Sequence, residues 1–168
     1  MGNGLDWDII SDELGARLYA YFKRRNANDA SADLTQETLI RLFNKVQVGA
    51  FDPGHGNLSQ YAFGIAAFVI LEHQKTIKNI EEIDDSVQHG TDVLEHKIEK
   101  LQKQKIVRKA ISELPQVQQE ILALTMDNEF TLKQISEILN QPENTIKSHI
   151  HRAKENLRNQ LQQIWGDL

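Results

Sequence analysis

The sequence of 168 residues contains no cysteine and only 3 prolines. The absence of cysteine excludes a disulfide scaffold, a Cys-ligated zinc or iron–sulfur site and thiol catalysis. Long hydrophobic runs are also missing: the longest, 61–71, is about half of the ~20 residues that a membrane-spanning helix needs. Residues 1–8 are polar and acidic, unlike a signal peptide, so we expect a cytoplasmic protein that has no membrane partner.

The motifs of common enzymes are absent as well. We find no P-loop, dinucleotide fingerprint, His-Glu-x-x-His metal motif or nucleophile elbow. His149 and His151 are two residues apart on a predicted helix, so they point in different directions and make a poor metal pair. His89 and His96 lie in an acidic stretch, where we expect them to be solvated. The sequence therefore predicts no enzymatic activity, no cofactor and no metal site.

Charge divides the chain into two parts. The formal net charge is -5, yet residues 97–168 carry 11 Lys and Arg against 9 Asp and Glu, whereas residues 1–96 carry 8 against 15. Residues 79–96 include six acidic side chains and no Lys or Arg, which is typical of a solvated tether. The sequence thus predicts two small domains, 1–78 and 97–168, joined by a flexible acidic linker at 79–96.

Helical spacing dominates both domains, and no sustained alternation of polar and apolar residues predicts a strand. We therefore expect an all-α fold. In the first domain, a helix that starts at Asp29 or Ser31 turns Thr38 and Leu42 inward. Its opposite face is a polar ridge of four residues. The ridge consists of Asp33, Gln36, Glu37 and Arg41.

A loop rich in turn formers, 51–57, separates this helix from the next one. Asn57 is a suitable N-cap for a third helix that begins near Leu58 and ends at Ile77 or Lys78. The middle of that helix, 63–71, is apolar almost all round, so we expect it to be buried on several sides.

The second domain has the outline of a helix-turn-helix. Thr131 is a good N-cap for a short helix, a turn follows at 140–142, and a longer helix runs from Glu143 to beyond Leu161. At about 100° per residue, the last helix carries apolar residues on one side and polar and basic residues on the other. The second side suits the major groove of DNA. The residues that we assign to DNA contact are Asn144, Thr145, Lys147, Ser148, His151 and Arg152.

Five stretches carry a family pattern: 114–120, 131–139 and 145–157 in the second domain, and 33–43 and 51–53 in the first. They resemble the sigma-70-type initiation factors of bacterial RNA polymerase, specifically the small two-domain extracytoplasmic-function (ECF) group. Both domains follow in the order of that group, with an acidic segment between them. The resemblance covers nearly the whole chain.

The resemblance implies that the chain binds core RNA polymerase, through its clamp and flap regions, and directs initiation at specific promoters. The polar ridge would grip the clamp, and the last helix would read the upstream, minus-35 promoter element. An anti-sigma factor or a recruiting protein is a further expected partner. The positions that match the reader of the downstream, minus-10 element are His55, Asn57, Tyr61 and Lys75.

One segment departs from the family pattern. Where the family carries an Arg and an Arg-Asn pair, this chain has Gly64 and Ala67-Phe68, so two cations and an amide are missing beside negatively charged DNA. Ala67 and Phe68 suit a protein core instead. We therefore expect weakened minus-10 recognition and an accessory protein that recruits the factor.

Two alternative functions stay open from the residues. A helix-turn-helix regulator would bind DNA without entering the polymerase clamp. A polymerase-binding adaptor would keep the clamp contact but would not itself open promoters.

Overall fold

The computed structural model describes residues 4–81 and 95–166, which form α-helices and two short 3-10 turns without any strand. The first three helices form one small domain and the last four form another, as the sequence predicts. The predicted linker, 79–96, lies mostly outside the described residues. The helices are α1 (Trp7–Arg24), α2 (Ser31–Gln47), α3 (Leu58–Glu81), α4 (Glu95–Ser112), α5 (Gln116–Thr125), α6 (Leu132–Leu139) and α7 (Glu143–Trp165).

α1 begins where the side chain of Asp6 caps it by accepting hydrogen bonds from the backbone N–H groups of Asp8, at 3.1 Å, and Ile9, at 3.4 Å. Its buried residues recur every three or four positions and pack against α2 and α3. α2 begins at Ser31, one of the two predicted starts. No side chain caps it, because its N-cap residue, Ala30, has no polar side chain.

The loop before α3 is held by its own side chains. Asp52 accepts a hydrogen bond from the backbone N–H of Gly54 at 2.8 Å, and its other oxygen lies 2.6 Å from Nδ1 of His55. Asn57 caps α3 as predicted: its Oδ1 accepts from the backbone N–H of Gln60 at 2.8 Å, while Oε1 of Gln60 accepts from the backbone N–H of Asn57 at 3.0 Å. The loop therefore presents a fixed shape.

The apolar middle of α3 packs against α1, α2 and α6, but one strip of the helix is left uncovered. Phe63, Ala66 and Ile70 are buried against α1 and α2, but Phe68 is 70% exposed and Ala67 is only half-buried. Phe68 lies on the side of the helix opposite to Ala66 and Ile70, at about 100° per residue, so it points away from the core. The prediction that Phe68 fills the core is wrong. α3 also continues to Glu81, beyond the predicted end.

The helix-turn-helix is well defined by its caps. The Thr131 hydroxyl accepts from the backbone N–H of Gln134, whose side chain accepts in return from the backbone N–H of Thr131. Asn140 ends α6 in the left-handed conformation, at φ 51°. Ile135 of α6 and Ile146 of α7 are buried together with residues of α5. This packing fixes which face of α7 is buried and which is exposed.

Candidate functional site

The polar ridge of α2 lies on the surface of the first domain. Asp33, Gln36 and Glu37 are exposed, as a docking surface requires. Arg41 donates to Glu37 at 2.7 Å and to Glu72 of α3 at 2.7 Å. These hydrogen bonds, above all the one that Glu72 accepts, raise the pKa of Arg41, and the same bond lowers the pKa of Glu72. Arg41 thus ties the ridge to α3, a role that the sequence did not indicate.

The predicted minus-10 residues are only partly brought together. His55, Asn57 and Tyr61 line a cavity of about 550 Å³ between the loop and α3, and Phe68 forms part of the same wall. Lys75 is exposed farther along α3 and does not line this cavity. The hydrogen bond from the Gly54 N–H, followed by the bond with His55, lowers the pKa of Asp52, so this carboxylate stays charged at the rim.

α7 presents its predicted DNA face to solvent, because Ile146 and Ala153 are fully buried on its other side. Most of the assigned residues are exposed, with Thr145 half-buried. Within the face, the Ser148 hydroxyl donates to the backbone carbonyl of Asn144 at 3.0 Å. The exposed residues are Asn144, Lys147, Ser148, His151 and Arg152.

A fourth feature, which sequence reasoning missed, joins the two domains. Arg17, Tyr21 and Arg24 lie along one side of α1, with Arg25 at its C-cap, and this spacing was the available signal. They face Glu120 of α5 and Asp127 just after it, and we call this set the α1–α5 contact. The set contains the pairs Arg17–Asp127, Arg24–Asp127, Arg25–Glu120 and Tyr21–Glu120.

Burial perturbs the groups of the α1–α5 contact. It raises the pKa of Glu120, while the charge of Arg25 and the hydrogen bond from the Tyr21 hydroxyl lower it in part. Burial, reinforced by the Glu120 charge, also raises the pKa of Tyr21 well above its usual value. Burial lowers the pKa of Arg24, partly offset by Asp127. The contact is therefore a desolvated ionic cluster rather than a set of surface pairs.

Comparison with known families decides the assignment. Residues 11–79 match the model of sigma-70 region 2, and residues 104–157 match the model of sigma-70 region 4. The chain belongs to the sigma-70 family. It is a sigma factor, whose partners are core RNA polymerase and promoter DNA. Both family matches fall in the order and at the places that the sequence motifs predicted.

Two named relatives assign this sigma factor to the ECF group. The chain is 28% identical over 170 residues to the ECF RNA polymerase sigma factor SigW of Bacillus subtilis (strain 168), covering 94% of this sigma factor and 87% of SigW. It is 29% identical over 151 residues to the ECF RNA polymerase sigma factor EcfG of Rhodopseudomonas palustris (strain TIE-1), covering 89% and 81% of the two chains.

Solved structures share the fold. The sigma factor RpoE of Bartonella quintana, in complex with the anti-sigma factor NepR, superposes with a TM-score of 0.71 at 21% identity, covering 94% of this chain and 97% of that one. CnrH, in complex with the cytosolic domain of CnrY, gives a TM-score of 0.69 at 14% identity, covering 93% and 87%. None of the helices described in this sigma factor is long and apolar enough to cross a membrane.

Proposed function

We propose that this cytoplasmic sigma factor grips the polymerase clamp with the α2 ridge and reads the minus-35 element with α7. The observation that carries the proposal is that one chain exposes both surfaces. Asp33, Gln36 and Glu37 lie free of the core on α2, while Lys147 and Arg152 point outward from α7. In this assignment residues 1–78 serve the clamp and the minus-10 side, the acidic linker is 79–96, and residues 97–168 serve the minus-35 side.

Replacing the ridge residues Asp33, Gln36 and Glu37 with alanine should weaken binding to core RNA polymerase by about tenfold to a hundredfold, because central interface side chains carry most of the binding energy. Folding should be nearly unaffected, since exposed ion pairs such as Glu37–Arg41 contribute little to stability. Fluorescence anisotropy with core enzyme measures the affinity.

A matched control for this experiment removes two exposed carboxylates and one exposed amide elsewhere on the same domain. Replacing Asp12, Glu13 and Gln47 with alanine changes the charge by the same amount and should leave core binding unchanged. If the ridge variant binds core enzyme as tightly as the wild type, the clamp assignment fails. A helix-turn-helix regulator that never enters the clamp is then favoured.

For the minus-10 side we propose weak reading, supported by the absence of cations at Gly64 and Ala67. Restoring the family residues with Ala67→Arg and Phe68→Asn should increase open-complex formation about tenfold, since added cations bind phosphate. Permanganate footprinting of promoter DNA with holoenzyme measures strand opening. The control Ala16→Arg adds the same charge on the exposed surface of α1.

The result of the footprinting separates two functions. Strong, sequence-selective opening by the wild-type holoenzyme alone would remove the need for a recruiting protein. Complete absence of opening, even in the restored variant, would favour a polymerase-binding adaptor.

We also propose an anti-sigma partner, because RpoE and CnrH, whose fold this chain shares, are each bound by another protein in their solved structures.

A further inference from the structure

A groove lies where the end of α1 meets α4 and α5. Its volume is about 440 Å³, within the range of about 300–1,000 Å³ that is usual for small-molecule sites. None of the residues that line it belongs to the α2 ridge, to the predicted minus-10 cavity or to the DNA face of α7. The proposed function therefore leaves this groove without a role.

Apolar side chains form the deeper part of the groove. They are buried or half-buried apart from Met126, which is 55% exposed. None of the described residues that line the groove is aromatic, so it offers no ring on which a nucleobase or another aromatic ligand can stack. This apolar lining suits an alkyl chain instead. It consists of Val107, Ile111, Leu122, Ala123 and Met126.

Four cations flank the apolar lining. Arg24 comes from α1, whereas the other three follow one side of α4. No described residue that lines the groove carries a carboxylate, although the chain as a whole has a formal net charge of -5. The groove is therefore a local positive patch that attracts anions. The four cations are Arg24, Lys100, Lys103 and Arg108.

The chain itself neutralises little of the charge on α4. Lys103 lies 3.0 Å from Glu99, but both side chains are more than half exposed, so this pair contributes little. Lys100 and Arg108 form no ion pair with any residue that the structure describes. Both are exposed and remain available to the negative group of a ligand.

Arg24 offers a second, less exposed anchor for an anion. Its Nε donates to the carbonyl oxygen of Ala123 at 3.1 Å. Its Nη2 is buried, lies 3.9 Å from Oδ2 of Asp127 and has no hydrogen-bond partner within the described parts of the chain. Leaving a buried donor unpaired is unfavourable, and an anionic group beside Arg24 would supply the missing acceptor.

The size of the groove favours a small molecule over a protein partner. Only twelve residues line it, whereas a stable protein–protein interface takes about 20–30 residues from each side. The division into an apolar part and a cationic part matches a molecule that has an alkyl chain at one end and a negative group at the other.

We propose that this groove binds a small anionic amphiphile, an alkyl chain that ends in a carboxylate. The alkyl chain lies against the apolar lining, and the carboxylate pairs with Arg24 and with the cations of α4. Because binding to the folded state alone stabilises it, the ligand also raises the melting temperature of the protein. The inference goes beyond the proposed function and depends on neither polymerase nor DNA.

The test titrates fatty-acid anions into the full chain by isothermal titration calorimetry, below the concentrations at which they form micelles. The probes are sodium octanoate and sodium decanoate. The two additional CH₂ groups of decanoate should tighten binding about fifteenfold, since each buried CH₂ group accounts for about fourfold. Decyltrimethylammonium, which has a cationic head group on the same alkyl chain, should bind at least about tenfold more weakly than decanoate.

Removal of two cations tests the head-group contact. Lys100→Gln with Arg108→Gln should weaken decanoate binding at least about threefold, because two favourable charge contacts are lost. Lys105→Gln with Lys109→Gln removes the same charge from the opposite side of α4 and should leave the affinity unchanged. All four side chains are exposed, so the helix should remain folded.

A carboxylate placed in the apolar lining tests the position of the alkyl chain. Met126→Glu should weaken decanoate binding at least about tenfold, because it repels the ligand and makes the lining polar. Ile164→Glu, on α7, is the matched control: Ile164 is 54% exposed, against 55% for Met126. This control adds the same charge and should bind decanoate like the wild type. Circular dichroism checks the helix content of each variant.

Three results would overturn the proposal. These are no binding of decanoate to the wild type, equal affinity for octanoate and decanoate, and equal affinity of decanoate for the wild type and Met126→Glu. The last result would indicate adsorption elsewhere on the surface. A helical peptide of leucine and glutamate is the further probe. If Met126→Glu weakens binding of the peptide while decanoate does not bind, the groove is a protein-docking surface and the small-molecule proposal fails. Core-enzyme binding is not part of these measurements, so failure of the clamp assignment stays distinguishable.

Discussion

Replacing Arg25 with glutamine should lower the free energy of unfolding by about 3–5 kcal/mol at neutral pH, which is the cost of leaving a buried charge without its partner. The Arg25 side chain is 1% exposed and lies 3.0 Å from the Glu120 carboxylate. It also donates to Gln119 at 3.0 Å and to Gln116 at 3.0 Å. Urea unfolding followed by circular dichroism measures the loss.

The loss of stability in Arg25→Gln should be smaller at acidic pH, and the direction of this pH dependence follows from the pKa of Glu120. Burial already raises this pKa above 4.5 in the folded wild type, while the charge of Arg25 and the hydroxyl of Tyr21 act against the rise. Without Arg25 the folded-state pKa rises further. A carboxyl whose pKa is higher in the folded state than in the unfolded state stabilises the fold fully below pH 4.5. This contribution is lost as pH rises through the folded-state pKa. Arg25→Gln should therefore differ least from wild type near pH 4 and most at neutral pH.

A double variant isolates the charge from the shape of the side chains. Glu120→Gln added to Arg25→Gln removes both charges and should recover most of the stability, because amide pairs can hydrogen-bond without a desolvated ion. Arg158→Gln, an exposed arginine of α7, is the matched control and should change stability by less than about 0.5 kcal/mol. Equal losses for the single and double variants, at every pH, would contradict the account of a buried carboxylate.

The sequence predicts the helix-turn-helix well because its signals are local. Thr131 caps α6, Asn140 reverses the chain, and Ile146 falls on the buried stripe of α7. Each signal depends on residues within one or two turns of each other, so a periodic reading recovers them. The exposure of Lys147 and Arg152 follows from the same stripe. For this part of the candidate site, sequence and structure agree.

The features that the sequence did not predict depend on contacts between residues that are distant in sequence. The apolar composition of 63–71 could not show that the helices packed around α3 leave one strip of it uncovered, where Phe68 is exposed. Likewise Arg25 and Glu120 are 95 positions apart, and the sequence around either residue does not reveal that the two form an ion pair. An isolated sequence gives the faces of helices, whereas the partner of each face is set by tertiary packing. The α1–α5 contact between the two domains was for this reason not predicted.

Reversing two cations of α7, with Lys147→Glu and Arg152→Glu, should reduce binding of the holoenzyme to its promoter by at least a hundredfold. Each reversal removes one favourable contact with DNA and adds one repulsive charge. Both side chains are exposed, so the helix should remain folded. Filter binding or anisotropy on a fragment selected with the wild-type holoenzyme measures the loss. Binding to core enzyme should be unchanged, because neither residue belongs to the α2 ridge.

Salt dependence shows whether the lost contacts are ionic contacts with phosphate. Removing two phosphate contacts should reduce the slope of log affinity against log salt by about 1.8, at ~0.9 for each contact. Lys105→Glu with Lys109→Glu, on the exposed surface of α4, changes the net charge equally and serves as the control. Since these lysines lie outside the helix-turn-helix, their reversal should weaken binding only slightly and leave the slope within about 0.5 of wild type. If both pairs weaken binding alike, net charge rather than a defined α7 face attracts DNA, and the assignment of Lys147 and Arg152 to the minus-35 element fails.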